Sequence, residues 1–121
     1  MKSYKLSFGT IIIIEEHLAE VIINDDVVID GVMVDEYHDF LLTALKSPFS
    51  LLINKKHSYT YTFYAQKTFL NLKAAKAMAV LVYNKAGVMS IETLINLNAT
   101  NNWNIQLFQS RDEAFNWLER Q

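Results

Sequence analysis

The sequence has no cysteine, three glycines and one proline in 121 residues. The lack of cysteine excludes disulfide scaffolds, thiolate nucleophiles and zinc sites built from thiolates. The glycines, Gly9, Gly31 and Gly87, lie too far apart to form a phosphate-binding loop or a dinucleotide-binding motif. So few glycines and prolines also leave little of the chain for linkers. Residues 1–121 are therefore expected to form one soluble globular domain with its own hydrophobic core.

Long apolar runs are lacking as well. The apolar run at residues 11–14 is too short for a secretory signal, and Glu15 and Glu16 follow it directly. No segment approaches the roughly 20 apolar residues that a membrane span needs. We therefore expect a cytoplasmic protein without a membrane span. The formal net charge of -2 gives no general reason to expect nucleic acid as a partner.

The charges that are present fall into two blocks. Residues 6–45 hold nine acidic residues and no lysine or arginine, whereas residues 40–91 hold seven lysines and no acid. The interpretation that we favour is neutralisation of one block by the other within a single domain. It predicts that the acids of residues 15–39 lie beside Lys55, Lys67, Lys73 or Lys76. The alternative is a dipolar surface that steers a charged partner or aligns two subunits.

Hydrophobic periodicity predicts the elements of an α/β fold. Two strands at residues 4–14 and 17–24 form an N-terminal hairpin, and a helix follows at residues 31–46, with Asp30 or Asp35 as its cap and Pro48 after its end. Further strands are predicted at residues 51–53, 78–83 and 105–108, and further helices at residues 63–75 and 88–98. A capping sequence, Ser110 with Glu113, begins a final helix. Residues 59–63 fit either a strand or a turn.

The predicted order is β-β-α-β-α-β-α-β-α, which implies a mixed, mainly parallel sheet with right-handed crossovers. Three segments carry a family resemblance: the strand at residues 51–54, the strand at residues 77–82, and a terminal block of Leu107 and Phe108 followed by Ala114, Trp117 and Leu118. The chain resembles the SpoIIAA-like proteins of the STAS superfamily, and more closely an uncharacterised bacterial branch of it. The resemblance implies a STAS-like fold and a non-enzymatic regulatory module that acts through protein contacts.

One family feature is missing from the turn that precedes the second predicted helix. The resemblance places there a serine that a partner kinase phosphorylates, followed by a glycine, but this chain has Tyr61, Thr62, Phe63 and Tyr64. The sequence therefore does not predict a phosphorylation switch at this turn. Thr62 is interpreted as a helix N-cap, worth about 1 kcal/mol, rather than as a phosphorylation site.

Catalytic and metal sites find little support in the sequence. His17, His38 and His57 share no helical spacing that would place two ligands on one face. Asp35, His38 and Asp39 do share a helix side, which we interpret as a solvated face rather than as a ligand set. No serine lies in a nucleophile motif. We therefore predict no catalytic residue, no metal and no cofactor; an enzyme would need polar groups converging in one pocket.

One segment mixes cations with aromatic residues, and it follows a predicted parallel strand, at the sheet edge where α/β proteins bind ligands. The candidate binding residues are Lys55, Lys56, His57, Tyr59, Tyr61, Thr62 and Tyr64. The first hypothesis is a binding module for a protein partner or for a second copy of the chain. The alternative is a domain that binds a small anionic or apolar ligand at residues 55–64. Nucleic acid is not expected, because two adjacent lysines are a small electrostatic footprint.

Overall fold

The computed structural model describes residues 1–101 and 103–121, which form an α/β structure with a six-stranded mixed sheet. The sheet order is β1-β2-β3-β5-β7-β8, and the first three strands are antiparallel. These three are β1 (Lys2–Leu6), β2 (Gly9–Glu15) and β3 (Leu18–Ile23). The parallel strands are β5 (Phe49–Asn54), β7 (Ala75–Leu81) and β8 (Ile105–Phe108). The predicted mixed sheet, parallel beyond its N-terminal hairpin, is confirmed.

The prediction of one strand over residues 4–14 is wrong, because the chain turns at Ser7 and Phe8 between β1 and β2. The Phe8 side chain is buried in the core, and Ser7 donates hydrogen bonds to the Glu36 carboxylate. Gly9 allows the close approach that follows, since a Cβ there would lie 2.3 Å from the Ile22 carbonyl oxygen. The apolar pattern continues through this turn, so periodicity alone could not reveal it.

Three helices cover one face of the sheet and a fourth covers part of the other. The first three are α1 (Gly31–Ala44), α2 (Phe63–Thr68) and α3 (Lys85–Leu97), and their buried residues join the core over Leu51 and Ile53. The fourth, α4 (Arg111–Glu119), packs over Leu52 on the opposite face. This division follows from the alternation of side chains along a strand. Within the described residues, no helix is long and apolar enough to cross a membrane.

The segment between β5 and β7 differs from its prediction. Residues 60–61 form a short strand, β6 (Thr60–Tyr61), which pairs in parallel with β4 (Val28–Ile29). The helix predicted over residues 63–75 ends at Thr68, and Ala75 already belongs to β7, opposite Phe49. The alanines at the end of the predicted helix suit a helix locally, but pairing with β5 decides their conformation.

Helix α4 is fixed to the sheet by an ion pair. The Glu20 carboxylate, on the central strand β3, is 3% exposed and accepts hydrogen bonds from both terminal nitrogens of Arg111. Asn54 Nδ2 donates a third hydrogen bond to it, at 2.9 Å. Burial alone would raise the pKa of Glu20, but the hydrogen bonds from Arg111 and Asn54 and the positive charges of Arg111 and Lys56 together outweigh burial and hold this pKa below its usual value.

Candidate functional site

A cavity of about 230 Å³ opens beside the predicted binding segment, where β5 ends. One wall is formed by residues 55–59, and Asp25 from the loop after β3 lies next to it. The other wall is the start of α3. It contributes Asn84, Ala86, Gly87 and Ser90. The cavity therefore lies at the carboxyl edge of the parallel strands, where open α/β sheets bind their ligands.

Hydrogen bonds between two loops hold the first wall in place. The backbone N–H of Ser58 donates to Asp25 Oδ1 at 2.9 Å, and the Ser58 carbonyl accepts from the N–H of Asp26 at 2.7 Å. Asp26 has a φ of 61°, a left-handed conformation that aspartate tolerates better than most residues. The pairing of β4 with β6 continues this connection. Residues 55–59 are thus held against the loop of Asp25 and Asp26 by these hydrogen bonds and by the strand pairing.

The second wall is the N-terminal end of a 13-residue helix. Asn84 caps α3 by accepting the N–H of Gly87 at 2.8 Å. The N–H groups of Lys85 and Ala86 precede the first intrahelical bond, which Val88 makes to Asn84. Because these N–H groups have no acceptor within the helix, they leave partial positive charge at its end. This wall consequently favours an anion.

Lys55 carries the most unusual environment of the site. The residue is 5% exposed, and its Nζ lies 3.8 Å from the centroid of the Tyr59 ring and 5.9 Å from that of Tyr61. Among the described residues, no carboxylate lies within 4.0 Å of Nζ and no acceptor takes a hydrogen bond from it. Burial lowers the pKa of this ammonium group to about 8. Lys55 therefore presents an unpaired, desolvated cation to the cavity.

The two tyrosines of the segment form the floor beneath this cation. Tyr59 is 5% exposed, its hydroxyl is buried without a partner in the described part of the chain, and burial raises its pKa to about 12. Tyr61 packs edge-on to Tyr59, at 5.7 Å between ring centroids, and against Phe69 at 5.4 Å. Burial raises the pKa of Tyr61 well above its usual value. Both rings are thus largely buried, and neither offers an exposed surface to a protein partner.

The remaining predicted residues lie outside the cavity. Thr62 caps α2 by accepting the N–H of Ala65 at 3.2 Å, so the predicted N-cap is confirmed. Tyr64 is 57% exposed and packs over Gly31 at the start of α1. It belongs to an apolar patch of four exposed side chains at the beginnings of α1 and α2 and on β4. We define this apolar patch as Val28, Val32, Phe63 and Tyr64.

Charge neutralisation takes a different form from the predicted one. The structure, over the residues that it describes, places none of Lys55, Lys67, Lys73 and Lys76 within 4.0 Å of an acid. The strongest partner of the acidic block is Arg111 from α4, which pairs with Glu20. Lys56 acts on Glu20 only at longer range, where its charge helps to lower the Glu20 pKa. The lysines are thus left for the surface and the cavity.

Three polar side chains of the cavity lie outside residues 55–64 and were not predicted from the sequence: Asp25, Asn84 and Ser90. Asn84 had a usable signal, because an asparagine between a buried strand and a helix is a typical N-cap. Asp25 had none, since only the pairing of two distant loops brings it to the cavity. The histidine and aspartates weighed as a ligand set lie elsewhere, with His38 Nε2 at 2.9 Å from the Phe69 carbonyl oxygen. Residues 1–101 and 103–121 hold no group of three histidine and carboxylate side chains suited to a metal.

A larger groove of about 450 Å³ lies on the opposite side of the sheet, between α4 and the start of β3. Leu18, Phe115 and Leu118 give it an apolar floor, and Arg111 stands at its rim. This arginine is already paired with Glu20, so the groove presents no unsatisfied charge of the kind found at Lys55.

In comparisons with known proteins, no protein-family model, curated protein or solved structure matches the chain.

Proposed function

We propose that this chain is a binding module for a small anion, held in the cavity between residues 55–59 and the start of α3. The observation that carries the proposal is Lys55, which is only 5% exposed and yet has no carboxylate of the described residues within 4.0 Å of its ammonium group. Removing a cation from water costs free energy unless an opposite charge compensates. An anionic ligand in the cavity would supply that charge.

The other lining groups favour the same ligand. Lys56 adds a cation, His57 adds an imidazole ring that can donate a hydrogen bond, Ser90 adds a hydroxyl group, and the end of α3 adds its partial positive charge. Asp25 is the only carboxylate on the described walls, and it already accepts the Ser58 N–H. A volume of about 230 Å³ lies below the roughly 300–1,000 Å³ of drug-sized sites, which favours a small metabolite over a nucleotide or a polymer.

Calorimetric titration with inorganic phosphate and with glycerol phosphate, at constant ionic strength and pH 7, tests this proposal. Binding should fall at least tenfold in Lys55→Met, because the variant keeps the apolar stem but loses the buried charge. Lys67→Met is the matched control, since this lysine lies over the Phe63 ring, outside the cavity. Equal binding by all three proteins, or binding by none, contradicts the proposal.

We also propose a second function, contact with a second copy of the chain through the apolar patch. Its four members are between 54% and 77% exposed, which is costly for large apolar side chains that cluster at one end of a domain. Light scattering over a range of concentrations should show an oligomer that Phe63→Ser with Tyr64→Ser dissociates. Leu42→Ser, at a 49% exposed site on α1, is the control. A monomer at all concentrations would exclude self-association.

We further propose that the fold is STAS-like and that the module is non-enzymatic and cytoplasmic. Support comes from the strand order, in which β3, β5, β7 and β8 follow one another with their crossover helices on one face. The resemblance places that family's phosphorylated turn at Tyr61, Thr62, Phe63 and Tyr64, which follow the cavity residues 55–59 along the chain. Binding of a ligand anion at this end of the sheet would need no phosphorylation of the chain itself.

A further inference from the structure

We propose that Lys55 captures the carbonyl group of its ligand as a reversible imine, so that the ligand is a small anion with an aldehyde or ketone next to its charge. Two-oxo acids and aldehyde phosphates are the chemical classes that fit. This inference rests on the proposed anion site, because the anionic group must hold the carbonyl near Nζ. It names the ligand chemistry of that site more narrowly.

The first support is that the Lys55 nitrogen is uncommitted. Its neighbours are the faces of the Tyr59 and Tyr61 rings, which attract the ammonium form but do not occupy the lone pair of the neutral amine. With a pKa of about 8, roughly a quarter of this group is neutral at pH 7.5, against about one in a thousand for an ordinary lysine. A neutral amine is the nucleophile in imine formation.

The second support is the arrangement of the cavity. Lys55 is only 5% exposed and lines the same space as the start of α3, Lys56 and His57. A carboxylate or phosphate held by these groups leaves the adjacent carbonyl carbon within the small remaining volume beside Nζ. Holding two reacting groups together in this way raises the rate of their reaction.

The step balances without an oxidant or reductant. The Nζ lone pair attacks the carbonyl carbon, and the carbonyl π electrons move to oxygen; the nitrogen then loses one proton and the oxygen gains one, which gives a neutral carbinolamine. Loss of that hydroxyl group, together with one proton from nitrogen, releases water and forms the C=N bond. Apart from Lys55, the titratable side chains on the described cavity walls are Asp25, Lys56, His57 and Tyr59, and water in the cavity can carry these protons to solvent.

Glyoxylate, with sodium cyanoborohydride to trap the imine, is the probe for this inference. Peptide mapping of the wild-type protein should show Lys55 modified at least tenfold faster than any other lysine. Lys55→Arg keeps the positive charge and should lose this modification, whereas Lys56→Arg should keep it. Thermal unfolding of each variant establishes that it is folded. Acetaldehyde, which lacks the anionic group, should modify Lys55 with at least tenfold lower preference.

Modification spread evenly over the lysines, or unchanged total labelling in Lys55→Arg, would overturn the inference. Phosphate titration separates this result from failure of the anion site. A protein that binds phosphate but shows no preference at Lys55 retains the proposed function and loses only the imine. A protein that neither binds phosphate nor forms the adduct loses both.

Discussion

Replacing Lys55 with methionine should stabilise the domain at neutral pH. Methionine can fill the space of the buried lysine stem without placing a charge there. A pKa that falls from the usual 10.5 to about 8 corresponds to about 3 kcal/mol against the charged form in the folded state. Loss of the contact between the ammonium and the Tyr59 ring offsets about 1–2 kcal/mol of this gain. We expect a net stabilisation of about 1–2 kcal/mol.

The pH dependence of stability isolates the same group. Because the folded-state pKa of Lys55 lies below its unfolded value, the unfolded chain binds more protons between pH 8 and 10.5. Wild-type stability therefore gains a contribution as pH rises through this window, whereas below pH 8 the penalty stays constant. Lys55→Met lacks this contribution, so its advantage should shrink above pH 8. Ionisation of buried tyrosines affects both proteins alike and cancels in the difference.

Urea unfolding followed by tryptophan fluorescence at pH 7, 8, 9 and 10 measures this difference. Lys67→Met, at an exposed site, should change the free energy of unfolding by less than about 0.5 kcal/mol at each pH. A Lys55→Met variant that is less stable than wild type by about 1 kcal/mol at pH 7 would refute the reasoning. So would an advantage that is the same at pH 7 and pH 10.

Other predictions concern α4, the caps, the β1–β2 turn and the site. Arg111→Met should cost about 2–3 kcal/mol in urea unfolding because it leaves the Glu20 carboxylate buried without its cation, and adding Glu20→Gln should recover part of this loss. Thr62→Ala should lower stability by about 1 kcal/mol in thermal unfolding, whereas Thr62→Ser should not. Gly9→Ala should lower the free energy of unfolding in urea by about 2 kcal/mol, since its methyl group meets a carbonyl oxygen of β3. A variant as stable as wild type would contradict this clash. In titrations at pH 7 and 9, phosphate affinity should fall at the higher pH, because the ammonium of Lys55 loses its proton above about pH 8; equal affinities would exclude its charge from binding.

The elements best predicted from the sequence are those with strong local signals. The strand at residues 105–108 and the helix behind Ser110 were placed correctly, because a short, mainly apolar segment after a polar Asn-rich loop and a capping sequence mark them. The β1–β2 turn lacks a Gly-Pro or Asn-Gly signal, and its position depends on burial of Phe8. Ala75 lies in a strand because it pairs with Phe49 of β5. The local sequence pattern contains no information about this pairing.

Only one segment of the candidate site was predicted from the sequence. The residues that distant loops and helices bring to the cavity were not predicted. Interleaved cations and aromatic residues correctly drew attention to residues 55–59, which do line a cavity. The sequence could not show that Lys55 would be buried over a tyrosine ring while Tyr64 stays on the surface, because both follow from how α2 docks. Asp25 is brought in by pairing between loops that are 33 residues apart, which composition cannot reveal.

The ion pair between Glu20 and Arg111 has a consequence for synthesis of the chain. It joins residues 91 positions apart, and α4 leaves the ribosome after every other described element of the sheet and its helices. Until α4 arrives, the neighbouring strands can assemble in chain order, but Glu20 and the apolar face around Leu52 remain exposed to water. A nascent chain halted before Arg111 would therefore display a charged and apolar sheet face, the kind of surface that chaperones bind until α4 covers it.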